Sequence, residues 1–182
     1  MRNLIFSILA FFSITFLSVS CKKQPVDQLS LLPPATQTGA NTFGCLVNGY
    51  ALIPHNRSIV TGPLLSCGYG LYSKGYLFNV TGGANVRSGN LATVSIQTDS
   101  LKISEGETVP LTKDYVPGYA SGIYLENLQY HMTNDNARGQ LTITHLDTIN
   151  QIVSGTFYFN AVSANGDTVK ITNGRFDMHY RQ

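Results

Sequence analysis

The chain has 182 residues, 43% hydrophobic and 12% charged, with 12 Lys+Arg against 10 Asp+Glu. That length suits one domain with a real core and leaves little room for two. A net charge of +2 without basic clusters gives no electrostatic footprint for nucleic acid, and after residue 20 no apolar run reaches the ~18 residues of a membrane-spanning helix.

Residues 1–20 combine a single Arg, no acid and an apolar run over 4–19. The run ends in Leu17-Ser18-Val19-Ser20-Cys21, which resembles a bacterial lipobox, although Ser18 stands where Leu is usual. A small residue before the cysteine fits the cleavage pocket of a lipoprotein signal peptidase, and the Cys21 thiol would carry the lipid. The segment therefore reads as a cleaved signal peptide and contributes nothing to the fold. Membrane attachment is expected through the acyl chains, at roughly 0.8 kcal/mol per buried CH₂. Lys22-Lys23 occupy the place where an acidic run would resemble a surface-export signal. The expected location is therefore the cell envelope, at the outer membrane and facing the periplasm, with surface exposure the alternative.

Residues 21–40 hold three prolines and scattered polar groups without a sustained period, the composition of a flexible tether. About twenty such residues have a typical reach of order 25 Å. The domain proper is expected over 41–182.

Within it no segment shows a capped helical period. Alternation with period two, bounded by Gly, Asn and Asp, predicts strands at 42–53, 75–80, 91–97, near 109–111 and over 123–132. Cys45 and Cys67, the pair left once Cys21 is assigned to lipid, form a disulfide candidate in an exported protein, with two separate buried thiols as the alternative. Tyr69, Tyr72 and Tyr76 concentrate in one stretch. Tyrosine offers a flat apolar face and a hydroxyl, which suits sugar stacking or a protein interface, although the rings can equally pad strand edges. Glu105 and Glu107 read as surface charge in a loop, and Asn134-Asp135-Asn136 as a turn that lacks the other ligands of a calcium loop.

The C-terminal part can be threaded in register. Leu141, Ile143 and His145 share one face of strand 141–147, and Val153, Gly155, Phe157, Phe159 and Ala161 share one face of strand 151–162. A loop of three residues at 148–150 sets His145 against Val153, Ile143 against Gly155 and Leu141 against Phe157. A turn at Ala164-Asn165-Gly166 then sets Ala161 against Val169 and Phe159 against Ile171. One extra residue at Asn173-Gly174 is needed to keep Phe176 and Met178 on the buried face, opposite Gly155 and Val153. A bulge supplies it; an Asn-Gly hairpin at 173–174 is the less favoured reading. Asp177 and His179 then share the outer, solvated face. Eight or nine short antiparallel strands predict an all-β domain, either a β-sandwich or a partly closed β-barrel.

Thr42-Phe43-Gly44-Cys45-Leu46-Val47-Asn48-Gly49 soon after the lipobox, Leu141-Thr142-Ile143-Thr144, Ser154-Gly155-Thr156-Phe157 and Ile171-Thr172-Asn173-Gly174-Arg175-Phe176-Asp177 together resemble a group of uncharacterised lipoproteins from Bacteroidota. The resemblance implies an envelope lipoprotein and brings no catalytic residues with it. The chemistry readable from the residues agrees. His55, His131, His145 and His179 are dispersed, and no nucleophile elbow, P-loop or zinc spacing occurs. No cofactor, metal or enzymatic activity is expected. The expected role is a binding module for an envelope protein or glycan. The alternatives are a carrier with an apolar cavity inside a barrel and, less favoured, a hydrolase assembled from dispersed residues.

Overall fold

A computed structural model describes residues 26–54, 64–113 and 116–182. The segment 1–20 read as a signal peptide, Cys21, Lys22-Lys23 and His55 lie outside the described residues. The domain is all-β, and its eleven strands are β1 (Thr42–Val47), β2 (Tyr50–Leu52), β3 (Leu65–Tyr72), β4 (Gly75–Asn85), β5 (Leu91–Asp99), β6 (Thr108–Leu111), β7 (Tyr119–Glu126), β8 (Gln129–Met132), β9 (Gly139–Asp147), β10 (Ile152–Ser163) and β11 (Thr168–His179). They form one sheet in the order β2-β1-β11-β10-β9-β6-β7-β5-β4-β3, with β8 paired to both β7 and β10. Pairing is antiparallel throughout except between β6 and β7.

Two predicted strands are in fact hairpins. Asn48-Gly49 divides β1 from β2 with φ of 49° and 85°, and Asn127-Leu128 divides β7 from β8 with φ of 49° and 63°. Positive φ at both central residues gives the turn whose twist matches that of its strands. These two splits, and β3 in the stretch read only as aromatic-rich, raise the number of strands above the expected eight or nine.

The sheet curls around one core and closes irregularly, so it is not a regular barrel. Past β11, the Tyr69 amide donates to the Arg181 carbonyl (2.9 Å) and the Arg181 amide to the Cys67 carbonyl (3.1 Å). The chain end is thereby joined to β3, at the opposite end of the strand order. Inside, Phe43, Phe78, Phe157, Phe159 and Phe176 are buried, with neighbouring ring centroids 5.4 to 6.4 Å apart. Several rings lie over glycines. A methyl group added at Gly174 would stand 2.4 Å from the Phe157 ring, and one at Gly82 would stand 2.2 Å from Phe43. These strands therefore contain glycine where an aromatic ring needs the space of a side chain.

The threaded meander follows its predicted register over most of its length. Leu141 pairs with Phe157 and Ile143 with Gly155; Ala161 pairs with Val169, Phe159 with Ile171, Gly155 with Phe176 and Val153 with Met178. The bulge is present between Phe157 and Phe159, with Asn173 at φ 53°. The loop after β9 is longer than expected, because Ile152 rather than Gln151 pairs with Asp147. A further irregularity then sets His145 opposite Ser154 instead of Val153. His145 consequently leaves the core face and is half-buried at the strand end.

The segment 26–40 is the largest departure from expectation. Its described residues, read as tether, are packed on the sheet. The Gln28 side chain accepts from the Ala51 amide, Leu32 is buried, and Pro33 lies over Gly44, where an added Cβ would come within 2.7 Å of the proline ring. This strap crosses the outer face from β2 over β1 and β11 to β9, where Gln37 donates to the Thr144 carbonyl (2.9 Å).

Candidate functional site

The tyrosines singled out from the sequence do not form one face. Tyr69 points into the core, donates its hydroxyl to the Ile103 carbonyl (3.3 Å), stacks on Tyr76 (5.7 Å) and meets Tyr180 edge-on (5.6 Å). Burial, reinforced by the neighbouring tyrosine hydroxyls, pushes its pKa up. Tyr76 is half-buried with Lys102 above its ring (5.4 Å). Tyr72, three residues from Tyr69, has the opposite strand parity and is exposed at the tip of β3. The grouping is thus close in sequence and divided in space, and the three tyrosines do not share one face.

Cys45 and Cys67 are free, buried thiols, which corrects the disulfide expectation. Cys45 lies on β1, bonded to β2 and β11, whereas Cys67 lies on β3 opposite Val80. Both behave as small apolar core residues. Burial pushes the Cys67 thiol up to about 12 and Cys45 higher still. Neither is a nucleophile at neutral pH.

Asp177, expected on a solvated face, is only 1% exposed. It does sit on the outer face, but the strap covers it. Its carboxylate accepts from the amides of Gly39 (2.7 Å), Thr38 (3.0 Å) and Ala40 (3.1 Å), and from the hydroxyls of Thr36 (2.6 Å) and Ser154 (2.8 Å). Burial by itself would raise its pKa. The hydrogen bonds from Thr36, Thr38, Ala40 and Ser154 outweigh that and hold it well below the usual carboxylate range. Asp177 is therefore a clasp for the strap rather than half of a catalytic dyad. His179 remains exposed, with its backbone amide donating to the Asn41 side chain (3.0 Å).

Beside this clasp, two residues further along the strands, the outer face opens into a groove of about 470 Å³. Cross-strand register builds its floor. Thr142, Thr156 and Arg175 form one row across β9, β10 and β11, and Gln140 and Tyr158 form the next. Asn173, displaced outward at the bulge, and Ala35 of the strap complete the lining. Tyr158 is 52% exposed and its hydroxyl donates to the Gln140 side chain (3.0 Å). Arg175 is held from behind, with Nε donating to the Asn173 carbonyl (3.4 Å) and Nη1 to the Pro33 carbonyl (3.3 Å). The groove thus presents an aromatic ring, an amide pair, threonine hydroxyls and a braced guanidinium. This set offers neutral hydrogen-bond donors and acceptors, one aromatic face and one cation. Among the described residues, no three His, Cys, Asp or Glu side chains come together as metal ligands.

Other titratable groups are engaged locally. Glu105 accepts from the Leu146 amide (2.9 Å) and lies 3.0 Å from His145 Nδ1. The Leu146 hydrogen bond is the main cause of its lowered pKa, with His145 adding to it. Asn134 accepts from the amides of Asn136 and Ala137, so 134–136 forms the expected turn.

The groove was not identified from the sequence, although a signal for it existed. The same alternation that placed Phe157 and Phe159 inside placed Thr156 and Tyr158 outside.

No curated protein and no solved structure matches the chain. A family model matches residues 72–178, a span holding every groove residue except Ala35. The chain belongs to that family, a domain of unknown function (DUF6252).

Proposed function

We propose that the protein is a lipid-anchored, non-catalytic binding module of the cell envelope, of the kind found among Bacteroidota lipoproteins, and that its ligand is a glycan held in the outer-face groove of β9, β10 and β11. The observation that carries the glycan reading is the pairing of the exposed Tyr158 ring with the amides of Gln140 and Asn173 on a polar floor. An aromatic face stacks on the C–H face of a sugar, while amide and guanidinium groups match its hydroxyls. A carrier would need an apolar cavity, and the packed phenylalanine rings occupy that space.

The anchor in this reading is Cys21. The described strap meets the sheet at Gln28, so six residues, 22–27, separate the lipid-bearing Cys21 from the docked chain. Fully extended, six residues span at most about 21 Å, which keeps the domain close to the bilayer.

Glycan-array binding by the purified domain, compared with a Tyr158→Ala variant, tests the reading. The expected result is a specific glycan signal that the variant loses while its melting temperature stays within a few degrees. No glycan signal, or one that survives Tyr158→Ala, overturns it.

A further inference from the structure

We infer that the glycan recognised by this groove is acidic, and that Arg175 pairs with its carboxylate. The inference rests on the glycan reading above and goes beyond it by naming the charge of the ligand. A guanidinium has five N–H donors. In Arg175 the Nε donor and one Nη1 donor go to the carbonyls of Asn173 and Pro33. Those two bonds fix the plane of the group at the groove wall and leave its other donors for a ligand.

No carboxylate of the described residues forms an ion pair with Arg175; the ionised Asp177, two residues away on β11, is enclosed by the strap. The ion pairs among the described residues are Lys113 with Asp135 and His145 with Glu105. Acids of the described residues accept hydrogen bonds from other groups. Asp177 is enclosed by the strap and Ser154, Glu107 accepts from the Ser104 amide, and Asp147 accepts from Ile149 and Asn150. Arg175 is half-buried, so a carboxylate meeting it would be partly removed from water. There a fork of N–H donors is far more selective for a planar anion than for a hydroxyl. The neighbours Thr142, Thr156 and Asn173 are neutral donors and acceptors suited to the rest of a sugar ring, and none of them repels an anion.

The test titrates the domain with an oligogalacturonate and with the same oligosaccharide after complete methyl esterification, which removes the charge and preserves the ring. The acid form should bind about tenfold to a hundredfold more tightly than the ester, with affinity falling as salt rises. Arg175→Gln should abolish that preference, whereas Arg175→Lys should retain part of it; melting temperatures report whether each variant is folded. If oligogalacturonate itself is not the natural sugar, glucuronate- and mannuronate-containing oligosaccharides beside their esters must show the preference. Equal binding of acid and ester forms, lost in Tyr158→Ala, overturns the acidic ligand and leaves the glycan reading intact. Binding by neither form in any of these series, together with a blank array, overturns both.

Discussion

Replacing Asp177 by Asn preserves the shape of the clasp and removes its charge, so the cost can be worked out atom by atom. The oxygen that receives Thr36, Thr38 and Ala40 is the more heavily used of the two. The new amide will therefore keep its carbonyl there and turn its NH₂ toward the Gly39 amide and the Ser154 hydroxyl. The serine can rotate to accept, but the Gly39 N–H then faces a donor. An orphaned buried donor costs about 1–3 kcal/mol, and the remaining bonds lose their charge assistance, for a total of about 2–4 kcal/mol. Undocking sets the ceiling, since a released strap hydrates its own amides. The appropriate assay is amide hydrogen exchange. Thr38, Gly39 and Ala40 should exchange about 30-fold to several-hundredfold faster, at 1.4 kcal/mol per factor of ten, while the paired amides of β10 and β11 keep their protection. Unchanged exchange at 38–40, or equal acceleration across the core, would refute the clasp.

Other consequences follow from the same contacts. Because the folded-state pKa of Asp177 lies below the unfolded value of about 3.9, its contribution to stability is fully present above that value and declines as pH falls through the folded one. Acid melts of the wild type should therefore be steeper than those of Asp177→Asn, and parallel curves would count against this. Gly174→Ala drives a methyl group into the Phe157 ring and should lower stability by about 1–3 kcal/mol in urea melts; a neutral result would mean that the ring is free to move. Cys45 and Cys67 should resist a thiol reagent in the native state and both react after unfolding without reductant, whereas a disulfide would leave them silent. Replacing residues 1–21 by an ordinary cleaved secretory signal should shift the protein from the membrane fraction to the soluble fraction, and retention in the membrane would refute the anchor.

Strand periodicity was legible wherever one face is buried and the other wet. Ala92, Val94 and Ile96 alternate inward along β5 as their spacing predicts, and the bulge at Asn173 follows from keeping Phe176 and Met178 inside. Turns were less legible. Asn127-Leu128 has no glycine, and its leucine adopts a left-handed conformation at 89% exposure, so nothing in the composition distinguishes it from the strand around it. The strap could not be read at all, because its order depends on a carboxylate 137–141 residues away. Composition reports only that such a segment cannot fold alone. The aromatic-rich stretch misled for a geometric reason: Tyr69 and Tyr72 have opposite parity, so one enters the core and the other faces water. The groove, in contrast, draws its residues from three strands, and only the register brings Gln140, Tyr158 and Arg175 together.

The claim on which the functional account depends is that ligand binds the outer face beside the strap. Amide chemical-shift mapping during titration with a glycan identified on the array tests it directly. The account predicts that shifts concentrate at Gln140, Thr142, Thr156, Tyr158, Asn173 and Arg175. Shifts gathered instead at the exposed hairpin tips around Leu71-Tyr72 or Leu128–Tyr130, with the groove silent, would contradict it.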